Sequence, residues 1–403
     1  MNNDTNDIAI IGAGPAGVFA AMNIADDSTA SVYVFDGKKP LTTLLPTGGG
    51  RCNLSYYEPD ISEFVMNYPR GAKFLFSVFN RFDMNDTVDK FEQYGIKTYV
   101  QADNRIFPVS DSSQITAEIL LKRAKLQGIN FIRETVNSVT TENGIFTVVS
   151  DKNSYNFKKI ILATGGKNFD IAQSLGHTII SPVASLVPLK IKEKSFYDLS
   201  GLSLKNVSIK AFFNGKKIAS TRADMLFTAK SLSGPGIFKI SSDCAFTEFS
   251  PKNPLVLKIN VTGKTPIEAE DFISNCIKKH PRMMLKNILS LLIPQSLALM
   301  LLGHGNVNPD KEITHLSNAE KRKIIELLTE LCLTVTSRDK AARIVTAGGV
   351  NLDEINAKTM ESKIVPGLYF AGELINADGY TGGFNLQLCW STAYICAKNI
   401  ISE

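Results

Sequence analysis

A metal-ligand spacing, a disulfide framework, a membrane span and a run of single-sign charge are all missing from this sequence, and each absence removes a class of function. Six cysteines, Cys52, Cys244, Cys276, Cys332, Cys389 and Cys396, include no CxxC pair, and in a chain of 403 residues they are expected mostly as buried thiols. The histidines, His177, His280, His304 and His315, are dispersed, so no metal site is expected. The most apolar stretch, Asn287 to Gly303, is interrupted by Pro294 and Gln295 and falls short of a spanning segment. Two short buried helices are expected there, with no membrane association. Lys and Arg number 44 against 39 Asp and Glu, a net +5, and they stand singly or in pairs such as Lys38-Lys39 and Lys158-Lys159. With no basic stripe, no nucleic-acid partner is expected. The polar opening MNNDTND runs directly into a strand and fits neither a signal nor a transit peptide, so a cytoplasmic location is expected. Internal repeats and low-complexity tracts are absent as well.

What is there is the composition of an ordinary globular protein, 44% hydrophobic and 21% charged. At about 150 residues per domain the length suggests two to three domains. Ile8 to Ile11 reads as a buried parallel strand, Gly-Ala-Gly-Pro-Ala-Gly follows, and a helix runs to about Ala25. Ser31 to Phe35 is the next strand, which completes a βαβ unit. Helices are expected at Gly71 to Asn80, Asp86 to Tyr94 and Ser113 to Leu126, the last with Ser112 as N-cap, and a buried strand at Lys158 to Ala163. After Pro188 the texture turns to short alternating segments such as Val207 to Phe213 and Leu255 to Val261, with a turn at Asn214-Gly215. Pro266 to Ala342 reads as mainly helical. From Arg343 the glycine-rich texture returns. The fold class expected is α/β: a Rossmann-type nucleotide domain, discontinuous over 1–187 and 343–403, with a β-rich subdomain at 188–265 and a helical one at 266–342 inserted.

A lone GxGxxG is a weak signal, but Gly12, Gly14 and Gly17 follow a strand and open a helix, and Asp36 ends the next strand. Gly12 permits the tight turn, Gly14 lets backbone N–H groups reach a pyrophosphate at the positive helix end, and Gly17 allows close helix–sheet packing. Asp36 can accept hydrogen bonds from an adenosine ribose. NAD and FAD share this fingerprint, and the C-terminal part decides for FAD. Pro366 to Glu373 reads as a short strand and turn, and Thr381-Gly382-Gly383-Phe384-Asn385 opens an apolar helix to about Ile400. Free N–H groups near Phe384, Asn385 and Leu386, with the helix dipole, would stabilise the negative charge of a reduced flavin.

The sequence resembles the bacterial FAD-dependent oxidoreductases known as BaiN-like or aminoacetone-oxidase-like flavoproteins. The resemblance rests on GAGPAG, Thr47-Gly48-Gly49-Gly50-Arg51-Cys52-Asn53, Ala163-Thr164-Gly165-Gly166, Thr359-Met360-Glu361-Ser362-Lys363, GLYFAGE and TGGFN. It spans residues 8 to 397. The GGGRCN and TMESK strings are specific, while the rest are shared with many flavoproteins. It implies a discontinuous FAD domain carrying β-barrel-like and helical insertions, bound FAD, and reduction linked to NAD(P)H as a transient electron donor. The chain departs from the family at Thr43, at Ser55-Tyr56, and at Ala229 and Ser231, where a His and a Gly are usual. Any role of that His does not carry over.

Three glycines at 48–50 would let backbone approach a flat ring. Arg51 could stabilise anionic flavin or a substrate oxyanion, or could pair with a carboxylate to pin the loop. Cys52 could be a thiol redox partner, but without a neighbouring cysteine a packing role is preferred. Asn53 could bond the flavin edge or cap the turn. Glu373 is expected to position the cofactor, and Tyr380 could donate a proton to substrate. The full set expected around the cofactor is Gly12, Gly14, Pro15, Ala16, Gly17, Asp36, Gly37, Lys38, Gly49, Gly50, Arg51, Cys52, Asn53, Val136, Ala163, Thr164, Gly165, Gly166, Gly372, Glu373, Gly382, Gly383, Phe384, Asn385 and Leu386, with Arg51 and Tyr380 as the catalytic candidates.

The reaction expected is NAD(P)H-driven reduction of an unsaturated or carbonyl-conjugated small organic substrate. Oxidase chemistry on a small amine or ketone, an RNA-associated flavoprotein and a non-catalytic flavoprotein stand as alternatives. No second GxGxxG follows a strand, so no dedicated pyridine-nucleotide domain is expected.

Overall fold

Ile8 to Ile11 are apolar without alternation because both faces of their strand are covered, as parallel sheets require. In the computed structural model, which describes residues 6–339 and 345–402, Asn6–Ile11 lies within a seven-stranded sheet. Residues 1–5 and the boundary drawn at Ala342 and Arg343 lie outside the described residues. Asn6–Ile11 pairs in parallel with Val32–Phe35 on one side and Ser154–Leu162 on the other, and Asn130–Ile132 extends the sheet past Val32–Phe35. Ser154–Leu162 changes partner along its length. Ser154 to Phe157 pair antiparallel with Ile145–Ser150, and Ile160 to Leu162 pair parallel with Leu368–Phe370. A sheet begun at residue 6 is thus completed by a segment more than 350 residues later.

The helix Pro15–Asp27 follows the glycine turn directly, since proline's fixed φ suits a first helical position. It packs on Phe384–Ile400, with the Phe19 and Trp390 rings 5.2 Å apart. Buried polar side chains on Phe384–Ile400 are matched to partners. Gln387 accepts from the Ser55 hydroxyl at 2.6 Å and donates to Thr87 Oγ1 at 2.8 Å, and the Trp390 indole donates to the Leu54 carbonyl at 3.0 Å. These bonds fix the C-terminal helix to the segment just after Asn53 and to the helix Met84–Gln93.

The TMESK string has a structural use. Glu361 accepts the Gly367 N–H at 2.9 Å, ahead of Leu368–Phe370, and the Ser362 hydroxyl lies 2.9 Å from Nε2 of the buried His177. Glu354 lies 3.1 Å from Nδ1 of the same ring. Burial holds His177 below the ordinary histidine range in spite of the Glu354 carboxylate. An unfolded histidine titrates near about 6.5, so below that pH the unfolded chain takes up a proton that the folded one resists. Stability is therefore intact above that pH and declines as pH falls. Melting temperature is expected to drop between about pH 7.5 and about pH 5.5, with a smaller drop in His177→Gln. Equal drops in the two proteins would rule out this assignment.

Two compact units are present, residues 1–183 with 345–403, and residues 184–344. The second contains a closed six-stranded barrel in the order Leu189–Ile191, Ser231–Ser233, Lys216–Phe227, Ser203–Phe213, Leu255–Asn260, Leu331–Arg338. The mainly helical reading of 266–342 therefore fails at its end, where Leu331–Arg338 is the strand that closes the barrel. Its period-two pattern is plain: Leu331, Leu333 and Val335 are fully buried and the residues between them are not. Ahead of it stand the helices Pro266–Lys279, Leu285–Leu289, Gln295–His304 and Asn318–Thr329. The second and third are the short helices expected in the apolar stretch, divided by Pro294. No helix among the described residues is long and apolar enough to cross a membrane.

The whole-chain charge conceals a division between these units. Residues 184–344 carry 24 basic and 14 acidic side chains, a net +10, and the remainder carries 20 basic and 25 acidic, a net −5.

Candidate functional site

The glycine motifs of the first unit meet because their missing side chains leave room for one another. A Cβ on Gly12, at φ +112°, would lie 2.3 Å from the Ala163 carbonyl oxygen, so the GAGPAG turn sits against the ATGG segment. A Cβ on Gly372 would lie 2.9 Å from that of Ala16, which places the C-terminal Gly-Glu element against the first helix near its start. A Cβ on Gly383 would lie 2.4 Å from the Ser55 carbonyl oxygen, joining TGGFN to the strand after GGGRCN. Gly17 packs on the Gly12 carbonyl, and Gly166 against Thr346. Glycine motifs drawn from residues 12 to 383 thus come together, three of them at the carboxyl ends of parallel strands, where open α/β sheets bind ligands.

Both helices that point into this region start without a capping side chain or an acidic first turn. Gly14 caps Pro15–Asp27 and Gly383 caps Phe384–Ile400. First-turn N–H groups have no partner within their own helix, and the dipole adds partial positive charge, so both starts suit an anion or an electron-rich ring edge. Asp36 is already used twice, accepting the N–H of Ala13 at 3.0 Å and of Lys38 at 2.9 Å, and its remaining lone pairs are open to a ribose hydroxyl. A small cleft of about 70 Å³ lies beside it, lined by Ala13, Val34, Lys38, Phe131 and Ile132. Gly37 meets Thr135, immediately before Val136, so that strand start borders the Asp36 turn.

In the GGGRCN loop Gly48, Gly49 and Gly50 all have positive φ, and so does Cys52. Gly49 and Gly50 are exposed and a Cβ on either would meet nothing within 4 Å, so one side of the backbone is open to a flat ligand. Asn53 is buried and its amide oxygen has no protein partner. An unpaired buried acceptor is costly, and the imide N–H of an isoalloxazine ring would satisfy it. An open glycine face, an unpaired acceptor and two uncapped helix starts are a donor and acceptor set that fits a flavin dinucleotide.

Arg51 does not point its donors into open space. Its Nε donates to Asp111 at 2.7 Å, its other nitrogens to Tyr99 at 2.7 Å and Gln101 at 3.4 Å, and its guanidinium lies 4.1 Å over the Phe107 ring. The contacts are those of a loop pin. Cys52 is buried, and desolvation pushes its thiol up to about 12, which keeps it protonated and unreactive at neutral pH. Iodoacetamide is expected to modify the exposed Cys332 in the native protein and to leave Cys52, Cys389 and Cys396 unmodified until unfolding, as read by intact mass. Cys52→Ala is expected to keep its flavin, and loss of turnover with flavin retained would instead make the thiol a redox group.

The sequence reading missed what holds the loop before the C-terminal helix. Asp378 is fully buried in an ion pair with Arg70. Tyr68, also buried, donates to the Phe384 carbonyl at 2.7 Å, and the Tyr380 N–H donates to the Asn67 carbonyl at 2.9 Å. Asn385 uses its side chain as a latch, donating to the Gly379 carbonyl at 2.8 Å and accepting the Gly379 N–H at 2.9 Å. The Phe384 ring packs into the core near Tyr56 and Phe64, which leaves its backbone N–H at the helix start for a ligand. Arg70 and Asp378 stand 308 residues apart among polar and glycine neighbours, so nothing in their local sequence signals this clamp.

Residues 6–399 match the family described as "HI0933-like protein Rossmann domain". The chain belongs to this family. Its members' FAD-binding Rossmann domain agrees with the donor set above, and the chain is accordingly an FAD-dependent oxidoreductase of the flavoprotein superfamily. It is 29% identical to a ribosomal RNA dihydrouridine synthase of Escherichia coli, over 98% of both chains, and 32% identical to that of Haemophilus influenzae, over 97% of both. It is 28% identical to a 3-dehydro-bile acid delta(4,6)-reductase of Clostridium scindens, over 98% of both. In fold it is similar to a 3-ketosteroid delta1-dehydrogenase of Sterolibacterium denitrificans, with a TM-score of 0.55 at 12% identity over 99% of this chain and all of the other.

Proposed function

We infer that this family member reduces a carbon–carbon double bond conjugated to a carbonyl, and that its substrate is uridine in ribosomal RNA. The observation that carries this reading is the full-length similarity to two ribosomal RNA dihydrouridine synthases. Uridine becomes dihydrouridine by saturation of C5–C6, a bond conjugated to the C4 carbonyl. The bile-acid relative's name describes reduction in a 3-oxo compound, so one class of reaction covers all three. FAD, when bound, supplies the two electrons.

The chain's part is to hold, orient and protonate. Gly12, Gly14, Gly17 and Asp36 would hold the dinucleotide end. Gly372 and Glu373 would hold the middle, and Gly49, Gly50, Asn53 and the first turn at Phe384–Leu386 would hold the ring. Tyr380 is the proposed proton donor, and Arg51 keeps the glycine loop in place through Asp111. NADH or NADPH is the proposed reductant, bound transiently because the sequence has no second dinucleotide fingerprint. Tyr380→Phe is expected to lower turnover roughly 100-fold, the usual scale for a general acid, with flavin content unchanged. Turnover equal to wild type would remove Tyr380 from the mechanism.

Nucleoside mass spectrometry of ribosomal RNA from cells lacking this protein tests the substrate. Dihydrouridine is expected to disappear and to return when the gene is restored. Unchanged content would overturn the RNA reading. The second reading, reduction of a free conjugated ketone, is supported by the bile-acid relative, and NADPH oxidation driven by such a ketone with ribosomal RNA left unmodified would favour it.

A further inference from the structure

One β-hairpin carries a net +4 of the +10 of residues 184–344. Strands Ser203–Phe213 and Lys216–Phe227, joined by the left-handed Asn214-Gly215 turn, carry Lys205, Lys210, Lys216, Lys217 and Arg222 against a single acid, Asp224. All five cations are exposed. Lys205 is paired with Asp224 at 2.6 Å, whereas Lys210, Lys216, Lys217 and Arg222 take part in no ion pair among the described residues.

The register adds a second observation. Ile209 and Ala211 fill the barrel, so Lys210 points outward, directly opposite Lys258 on the adjacent strand Leu255–Asn260. Like charges at facing positions destabilise a sheet; here Lys258 is offset by Glu330 at 2.5 Å, whereas Lys210 takes part in no ion pair among the described residues. Lys258 also lies 5.0 Å over the Phe212 ring, which sits half-buried beside these cations. Basic side chains interleaved with an aromatic are the surface chemistry of single-stranded nucleic-acid grooves.

A third observation is a cavity of about 400 Å³ at the base of the hairpin, with Arg222 and Asn206 at its polar edge and Leu204, Val261, Ile293 and Pro294 among its apolar lining. Its size falls in the range of small-ligand sites, roughly 300–1,000 Å³. A mostly polar lining, with aliphatic side chains beside a guanidinium, suits an unstacked nucleotide and its phosphate.

The geometry points to this hairpin as the RNA-docking surface of the enzyme, with the backbone lying across Lys210, Lys216, Lys217 and Arg222 and one nucleotide seated in the cavity beside Arg222. The inference rests on the ribosomal RNA reading above. It assigns to the inserted unit a binding task separate from the flavin chemistry of the other.

The test uses the flavin-loaded full chain and a fluorescein-labelled oligouridylate, with anisotropy titrations at several salt concentrations. The quadruple variant K210A/K216A/K217A/R222A is expected to bind at least tenfold more weakly at about 0.15 M salt, with a salt slope smaller by about 3, at roughly 0.7 per lost phosphate contact on a single strand. Flavin absorbance and melting temperature are expected to match wild type, which separates lost docking from misfolding. Photocrosslinking with 4-thiouridine in the oligonucleotide is expected to label peptides containing residues 203–206 or 292–294. Binding by wild type with an unchanged affinity and slope in the variant, or crosslinks confined to other peptides, would overturn the docking surface and leave the RNA reading standing. Absence of RNA binding by wild type, together with unchanged cellular dihydrouridine, would overturn both.

Discussion

Gly12→Ala is expected to yield a protein that binds flavin on the order of 100-fold more weakly or not at all, equivalent to about 2.7 kcal/mol or more of lost binding. The methyl group has nowhere to go. It would stand 2.3 Å from the Ala163 oxygen and 2.7 Å from its carbonyl carbon, both backbone atoms next to the central strands. Those atoms cannot yield cheaply, because the Ala163 N–H donates to Ile11 at 2.8 Å and the Gly12 N–H to Phe35 at 2.8 Å. The φ of +112° is strained for any residue with a Cβ, a cost of roughly 1–3 kcal/mol. Gly14→Ala is the matched control. Its Cβ would make an ordinary contact of 3.4 Å with the Thr43 hydroxyl, so the fold should keep its melting temperature, and any flavin lost must be lost through the ligand's own approach to the backbone. The ratio of oxidised-flavin to protein absorbance, beside a melting curve, reads both. A Gly12→Ala protein with a full complement of flavin would show that the pyrophosphate does not lie at this turn.

Local chemistry explains why the nucleotide fold could be read before any coordinates. Gly12, Gly14, Gly17 and Asp36 fall within 25 residues, and strand, turn and helix are each specified by neighbours in sequence. The barrel was half legible for the same reason. Val207 to Phe213 and Leu255 to Val261 announce themselves by alternation, but Leu331–Arg338 follows four helices, and the helical texture before it masked a strand whose partners lie more than 70 residues away. The distribution of charge was hidden for a different reason. A whole-chain sum of +5 cannot reveal that one unit holds +10 and the other −5, and Lys210 and Lys258 come to face each other only through strand register. Arg51 illustrates what spacing leaves open: Asp111, Tyr99 and Gln101 are 48 to 60 residues distant, and their convergence on the guanidinium is a fact of tertiary structure.

Arg70→Ala is the second large effect, and it acts through a contact 308 residues apart in sequence. Asp378 has no exposed side-chain surface, and the Arg70 guanidinium meets both of its carboxylate oxygens. Deleting one partner of a buried pair strands a charge away from water, a cost of about 3–5 kcal/mol. For a unit of this size each kcal/mol lowers the melting temperature by about 2–4 °C, so a fall of roughly 6–20 °C is expected. Flavin should be weakened with it, because Asp378 lies in the segment that delivers Gly382 and Gly383 to the start of Phe384–Ile400. Arg70→Lys is expected to recover only part of the loss, since an ammonium cannot reproduce the two-point guanidinium contact. Replacing both partners, as in R70M/D378L, is expected to be less harmful than Arg70→Ala alone, because no unpaired charge remains. Melting curves of the four proteins decide the matter. If the double variant melts no higher than Arg70→Ala, the pair's importance lies in shape and position at this loop, and the stranded-charge account is wrong.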